Sequence, residues 1–203
     1  MEQIKEYEYV DLGLPSGLKW AKCNVGAEKE TDYGDFFMWG STEPNTADEC
    51  NWANTPFNNG ATSYDTTYFN SVKDTVIPNK VLAKEYDVAA QIMGGDWRMP
   101  TKDEIQELID NTDSEWVEDF NGTGVNGRKF TSKTNTSKYI FIPAAGVCGD
   151  GSVYNVNYYG YVWSSSLGTS YTANAWYLYF NSGSCYMSYS NRCDGQTVRG
   201  VMK

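Results

Sequence analysis

Between Tyr154 and Asp194, 22 of 41 residues are Tyr, Ser or Asn, while Lys, Glu and Gln are absent altogether. A stretch of that composition reads as β-strands and loops, because aromatic residues suit a pleated sheet and Ser and Asn suit its turns. It is also the chemistry of a binding surface. Tyr supplies a large, stiff, amphipathic contact at low entropic cost, and Ser, Asn and Gly supply adaptable hydrogen bonding. A binding surface built for variety and a plain Tyr-rich sheet with polar turns are therefore the two readings of this segment.

Alternation sharpens the first of them. Ser184, Tyr186, Ser188 and Ser190 share one parity along an expected strand, and Tyr177 and Tyr179 share a face opposite Trp176, Leu178 and Phe180. One face can then be core while the other is displayed. Trp163, Trp176, Leu178, Phe180, Val198 and Val201 are expected to hold the scaffold. The displayed set is drawn from Tyr154, Asn155, Asn157, Tyr158, Tyr159, Gly168, Ser170, Tyr171, Asn174, Tyr177, Tyr179, Ser184, Tyr186, Ser188, Tyr189, Ser190 and Asp194, with about two thirds of that set expected to be exposed.

The 203 residues are expected to form one domain, residues 1–203, without an internal repeat. Tyr7 to Leu12 alternates as a strand, and Gly13-Leu14-Pro15-Ser16-Gly17 turns the chain into a second strand at Leu18–Ala21. Residues 42–79, rich in Asn, Thr, Pro and Asp, are expected to form a long surface excursion pinned by Trp52, Phe57, Tyr64 and Phe69. Two helices should follow. The first runs from Val81 to Met93 and ends at Gly94-Gly95; the second starts at the capping box Thr101-Lys102-Asp103-Glu104 and carries Ile105, Leu108 and Ile109 as its apolar stripe. Beyond Trp116 the pattern is strands and loops, with Asn121-Gly122 and Asn126-Gly127 suited to tight hairpin turns.

Charge and cysteine content narrow the function. A net charge of −10 argues against binding nucleic acid through its phosphates. No apolar run is long enough for membrane insertion, and Met1-Glu2-Gln3-Ile4-Lys5-Glu6 has no hydrophobic segment behind it, so export through a signal peptide is not expected. The chain contains no His, which removes the usual general base and the usual zinc site. No catalytic residue, cofactor or metal is expected. The five cysteines, Cys23, Cys50, Cys148, Cys185 and Cys193, are irregularly spaced. For Cys185 and Cys193 three readings stand: a disulfide, a reactive thiol pair, or incidental residues, the last being the expectation.

Several segments match one family. They are Val10 to Ala21, Gly34-Asp35-Phe36-Phe37-Met38-Trp39-Gly40, Gly95-Asp96-Trp97-Arg98-Met99-Pro100-Thr101, Ile142-Pro143-Ala144-Ala145-Gly146, Trp163-Ser164-Ser165-Ser166 and Val198-Arg199-Gly200-Val201. Together they resemble a bacterial paralogous domain family related to the formylglycine-generating-enzyme branch of the C-type lectin fold. The resemblance implies an α+β domain with two helices, a small twisted antiparallel sheet and long irregular loops. The C-terminal stretch further resembles the variable proteins of diversity-generating retroelements, in which adenine-directed mutagenesis turns Asn codons into a restricted residue set that lacks Lys, Glu and Gln. What this implies is a display surface that binds varied protein or glycan targets, carried by a phage or mobile element for receptor binding. The alternatives are a member of the same family with fixed specificity and, as a minor one, a formylglycine-generating-type oxidase using Cys185 and Cys193.

Four other features read as structural. Glu43-Pro44-Asn45 resembles the calcium-binding tripeptide of mannose-type lectins, but it stands before the helices and lacks the Trp-Asn-Asp partner, so it is not expected to bind calcium. Asn121-Gly122-Thr123 and Asn135-Thr136-Ser137 fit the glycosylation pattern and are read as turns. Asp103, Glu104, Glu107 and Asp110 are read as a solvated helix face, and Arg98 and Arg199 as scaffold arginines paired with acids or carbonyls.

Overall fold

The computed structural model describes residues 6–203, so most of the segment considered as a signal peptide lies outside the described residues. The first hairpin forms as expected. Strand β1 (Tyr9–Asp11) pairs antiparallel with β2 (Lys19–Ala21), and Gly13 and Gly17 take positive φ in the turn between them.

The excursion that follows is ordered around one side chain. Asn58 is fully buried, and its amide donates to the carbonyls of Trp52, Ala61 and Ser63 while its oxygen accepts from the Asp65 amide. Asp65 in turn caps a helix that sequence reading missed, α1 (Thr66–Val76), by accepting from Tyr68 N at 2.9 Å. Helix α2 (Val88–Met93) is shorter than expected. The Asp87 carboxylate accepts from Ala90 N and from Met99 N, which places the cap at 87; Lys84–Tyr86 is a separate 3-10 turn, and Leu82 N donates to Ser165 O instead of a helical carbonyl. Helix α3 (Lys102–Asn111) has both halves of its capping box, Thr101 to the Glu104 amide and Glu104 back to the Thr101 amide. The described chain thus has three α-helices, where two were expected.

Among the described residues four small antiparallel sheets form where one was expected. Strands β3 (Thr112–Val117), β4 (Gly127–Ser132) and β5 (Tyr139–Pro143) form one; β6 (Val147–Gly149) and β7 (Ser152–Tyr154) form a ribbon; β8 (Gly160–Leu167), β9 (Asn174–Phe180) and β10 (Cys185–Asn191) form a third in the order β10-β9-β8; and β11 (Val201–Met202) joins β2. Asn126-Gly127 is not a turn, because Gly127 is the first residue of β4 and its bare Cα faces the Phe141 ring. Asn121-Gly122 does turn the chain, with positive φ at both residues.

The β8-β9-β10 sheet divides the core. Val162, Leu178 and Phe180 point to a cluster with Trp20, Ile105, Leu108, Phe130, Ile140 and Val201, whereas Trp163, Ala175 and Tyr177 point to a second cluster with Phe37, Trp39, Phe69, Val88 and Val198. Where β8 passes α3 its register with β9 shifts between Trp163 and Leu167. The serines of that segment satisfy the irregular backbone: Ser164 Oγ donates to Trp176 O, Ser165 N donates to Pro100 O, and Ser166 Oγ accepts from Lys102 N. The two arginines are scaffold, as read. Arg98 forks onto Glu104 at 2.7 and 2.6 Å, and the fully buried Arg199 donates to Asn24 Oδ1 and to the carbonyls of Ala21, Lys22 and Phe141.

Candidate binding surface

Register places the tyrosines in rows. Tyr161, Tyr179 and Tyr186 lie side by side across β8, β9 and β10, and the next row of the same face is Trp163, Tyr177 and Ser188. The rings touch along and between the rows: Trp163 to Tyr177 at 5.9 Å, Tyr177 to Tyr161 at 5.6 Å, Tyr161 to Tyr179 at 5.6 Å, and Tyr179 to Tyr186 at 5.1 Å and to Tyr159 at 5.8 Å. The series begins at a fully buried tryptophan and ends at Tyr186, which is half exposed. Each ring is braced by the one beneath it, so the outer ones are presented with little rotamer freedom left to lose on contact.

Exposure divides the residues expected at the surface. Tyr154, Asn155, Tyr158, Ser170, Tyr171, Tyr186 and Tyr189 are exposed; Asn157, Tyr159, Asn174, Tyr179, Ser184, Ser188, Ser190 and Asp194 are half-buried; Gly168 and Tyr177 are buried. Seven of 17 falls short of the two thirds expected. Tyr177, at 8% exposure, is a core residue, because the face it shares with Tyr179 is covered by the Trp163 cluster at that row. Burial pushes its phenol up to about 12, with a Ser188 hydrogen bond pulling the other way. Gly168 has no room for a side chain, since a Cβ would stand 2.7 Å from Asn174 O. Asn157 is a fastener: its amide oxygen accepts from Tyr33 Oη and Asn126 N, its nitrogen donates to Gly124 O, and its φ is 67°. The Asp194 carboxylate accepts from Ser190 Oγ, and its burial raises its pKa.

Tyr189 and Tyr171 belong to a different patch. Tyr189 has the opposite parity to Tyr186 and pairs with Trp176, so it lies on the α3 side of the sheet. There Tyr171, Asn174, Trp176 and Tyr189, with the 168–170 turn, line a hollow of about 230 Å³. Trp176, expected in the core, is half-buried between Tyr189 and the Lys102 ammonium, 4.8 Å from its ring. The remaining scaffold residues, Trp163, Leu178, Phe180, Val198 and Val201, are all buried.

The model of the Lcl C-terminal domain matches residues 13–202. The chain belongs to this family. Its members are C-type-lectin-like domains similar to the variable proteins of retroelements. No curated protein and no solved structure matches the chain.

In this Lcl C-terminal domain one functional support escaped sequence reading. Arg192 is the only cation between Tyr154 and Asp194, and it is fully buried. Its guanidinium stands 4.3 Å from the Phe69 ring and within 6 Å of Tyr64 and Trp52, and it donates to Thr172 O and Pro56 O. Burial lowers its pKa to about 10. Tyr64 completes the tie, bonding the Thr172 hydroxyl at 2.6 Å and meeting Tyr171 edge-on. The long excursion thereby carries the turn that displays Tyr171. A lone cation in a cation-poor stretch was the available signal.

The other candidates have structural employment. Asn45 caps Met38 N with its side chain, and among the described residues no group of three or more Cys, Asp or Glu is placed to hold a metal ion. Asn121 lies in a turn, and Asn135 closes one by accepting from Ser137 N. The acidic face of α3 is not simply solvated, because Glu104 holds Arg98 and Glu107 accepts from the amide and hydroxyl of Ser16. Cys185 is the first residue of β10 and Cys193 lies in the turn just past its last residue, with an extended strand of about 20 Å at 3.3 Å per residue between them. That separation removes both the disulfide and the shared-cleft reading of this pair, and burial raises both thiols, Cys193 to about 12.

Proposed function

We propose that this domain binds protein or glycan ligands through the Tyr159–Tyr161–Tyr179–Tyr186 array and the exposed Tyr154, Asn155 and Tyr158 beside it. The observation that carries this reading is the braced series of rings running from buried Trp163 to exposed Tyr186. Rigid aromatic anchors of this kind dominate interface energetics, each strong one contributing on the order of 2 kcal/mol. On this reading the role is recognition, and burial, which raises the Cys185 and Cys193 thiols, speaks against the oxidase alternative. The domain takes the C-type lectin fold in the branch related to formylglycine-generating enzymes, and a retroelement diversifies its surface for receptor binding by a phage or mobile element. Support comes from the family match and from the absence of Lys, Glu and Gln in the stretch.

Sequencing the encoding DNA and its flanks across isolates tests this. We expect a near-identical template copy, with differences confined to template adenines at codons such as those of Tyr154, Asn155, Tyr158, Tyr179, Tyr186 and Ser188. Tyr177, Asn157 and Gly168 should stay constant, since the fold spends their side chains or their lack of one. A locus that is invariant, or that varies without regard to base, would replace diversification with a fixed-specificity interface.

A further inference from the structure

Cys50 and Cys148 are 98 positions apart in the chain, yet their sulfurs lie 3.1 Å from each other in a small cluster of their own with Met38. Both are buried, at 3% and 1% exposure. Three segments build the site. Cys50 ends a turn of the long excursion; Cys148 is the middle residue of β6; and Gly195 exchanges both backbone hydrogen bonds with Cys148, at 2.8 and 2.7 Å. At Gly195 a Cβ would lie 2.5 Å from Cys50 Sγ and 2.9 Å from Cys148 Cβ, so glycine is what admits the second sulfur. An approach of about 1 Å reaches covalent S–S length. Apart from this contact, the excursion meets the β6-β7 ribbon through the Gly151 N to Ala47 O hydrogen bond of 3.3 Å.

We propose that Cys50 and Cys148 form a disulfide when the chain meets a small-molecule disulfide, clamping the excursion to the ribbon that ends at Tyr154. One thiol, deprotonated, attacks the reagent, forming a mixed disulfide and releasing one reagent thiol; the second protein sulfur then displaces the other. Two protein S–H groups become one S–S bond and the reagent is reduced to two thiols, so electrons and protons balance. Burial disfavours the thiolate in the closed form, so exchange runs while the loop is open or the chain is folding. The clamp is independent of what the surface binds.

The test is to refold the full chain in oxidised or in reduced glutathione, denature, alkylate and map peptides. The expected result after oxidation is a Cys50–Cys148 linked peptide, with alkylation at Cys23, Cys185 and Cys193 only. The melting temperature should rise by roughly 5–15 °C over the reduced form, as expected for closing a loop of about 100 residues in a chain of this size. Cys50→Ala and Cys148→Ala should each abolish the shift. Five alkylated cysteines after oxidation, or a link from Cys50 to Cys193, would overturn the proposal, and the mapping on the unaltered chain decides even if a variant fails to fold.

Discussion

Tyr177→Ala should unfold this domain more readily than any change to its outer neighbours. Tyr177 is 8% exposed, stacks on Tyr161 and meets Trp163 edge-on. Truncation to Ala removes roughly 150 Å² of buried aromatic surface, which at about 25 cal/mol per Å² costs about 4 kcal/mol, with the two ring contacts adding to it. For a chain of this length that is a fall in melting temperature of roughly 8–16 °C. Tyr186→Ala, at 50% exposure, should lose about 1 kcal/mol or less while weakening ligand binding. Thermal melts followed by circular dichroism compare the two directly. Tyr177→Phe supplies a control through pH: the folded phenol titrates near 12 against an ordinary value of 10, so its contribution is complete below pH 10 and is lost as pH rises toward 12. The phenylalanine variant should lack that part of the alkaline decline. If Tyr177→Ala melts within about 3 °C of the parent, the ring is not core and the division between braced base and displayed tip is wrong.

Two further outcomes follow from the scaffold. Glu104→Gln should cost about 1–2 kcal/mol at neutral pH, because the Arg98 fork loses its charge partner. Burial would raise the Glu104 pKa, but Arg98 and the Thr101 amide outweigh it and hold it below 4.5, so the contribution is present above that value and disappears as pH falls through the lower folded one; denaturant titrations at pH 7 and pH 3 should show the gap closing. Gly160→Ala should destabilise by about 1–3 kcal/mol by overpacking, since a Cβ would stand 1.9 Å from the fully buried Phe180 ring across the strand pair; an unchanged denaturation midpoint would mean that the ring moves freely.

Legibility followed the range of the interactions. The Thr101 capping box, the Gly94 stop and the first hairpin were readable because each is set by residues no more than about a dozen positions apart. Helix α1 was not, because its stripe of Phe69, Val72 and Val76 is thin and rich in β-branched neighbours, and its cap at Asp65 is positioned by Asn58. The extra length assigned to α2 failed for a related reason: Val81 and Leu82 carry helical spacing but take their partners from Ser165 and Ser166, some 80 residues away.

For the surface, sequence alone determined the composition, the strand parity and the scaffold positions Trp163, Leu178, Phe180, Val198 and Val201. The tertiary structure decided which of the displayed parity is free. β9 is the middle strand of its sheet, and the face that carries Tyr177 and Tyr179 is covered at Tyr177 and opens outward at Tyr179, while Leu178 and Phe180 on the other face stay buried. Parity sorts side chains into two faces, but whether a face meets water depends on what packs against it. Here the residues around Trp163 come from segments distant in the chain, as do the two sulfurs of Cys50 and Cys148.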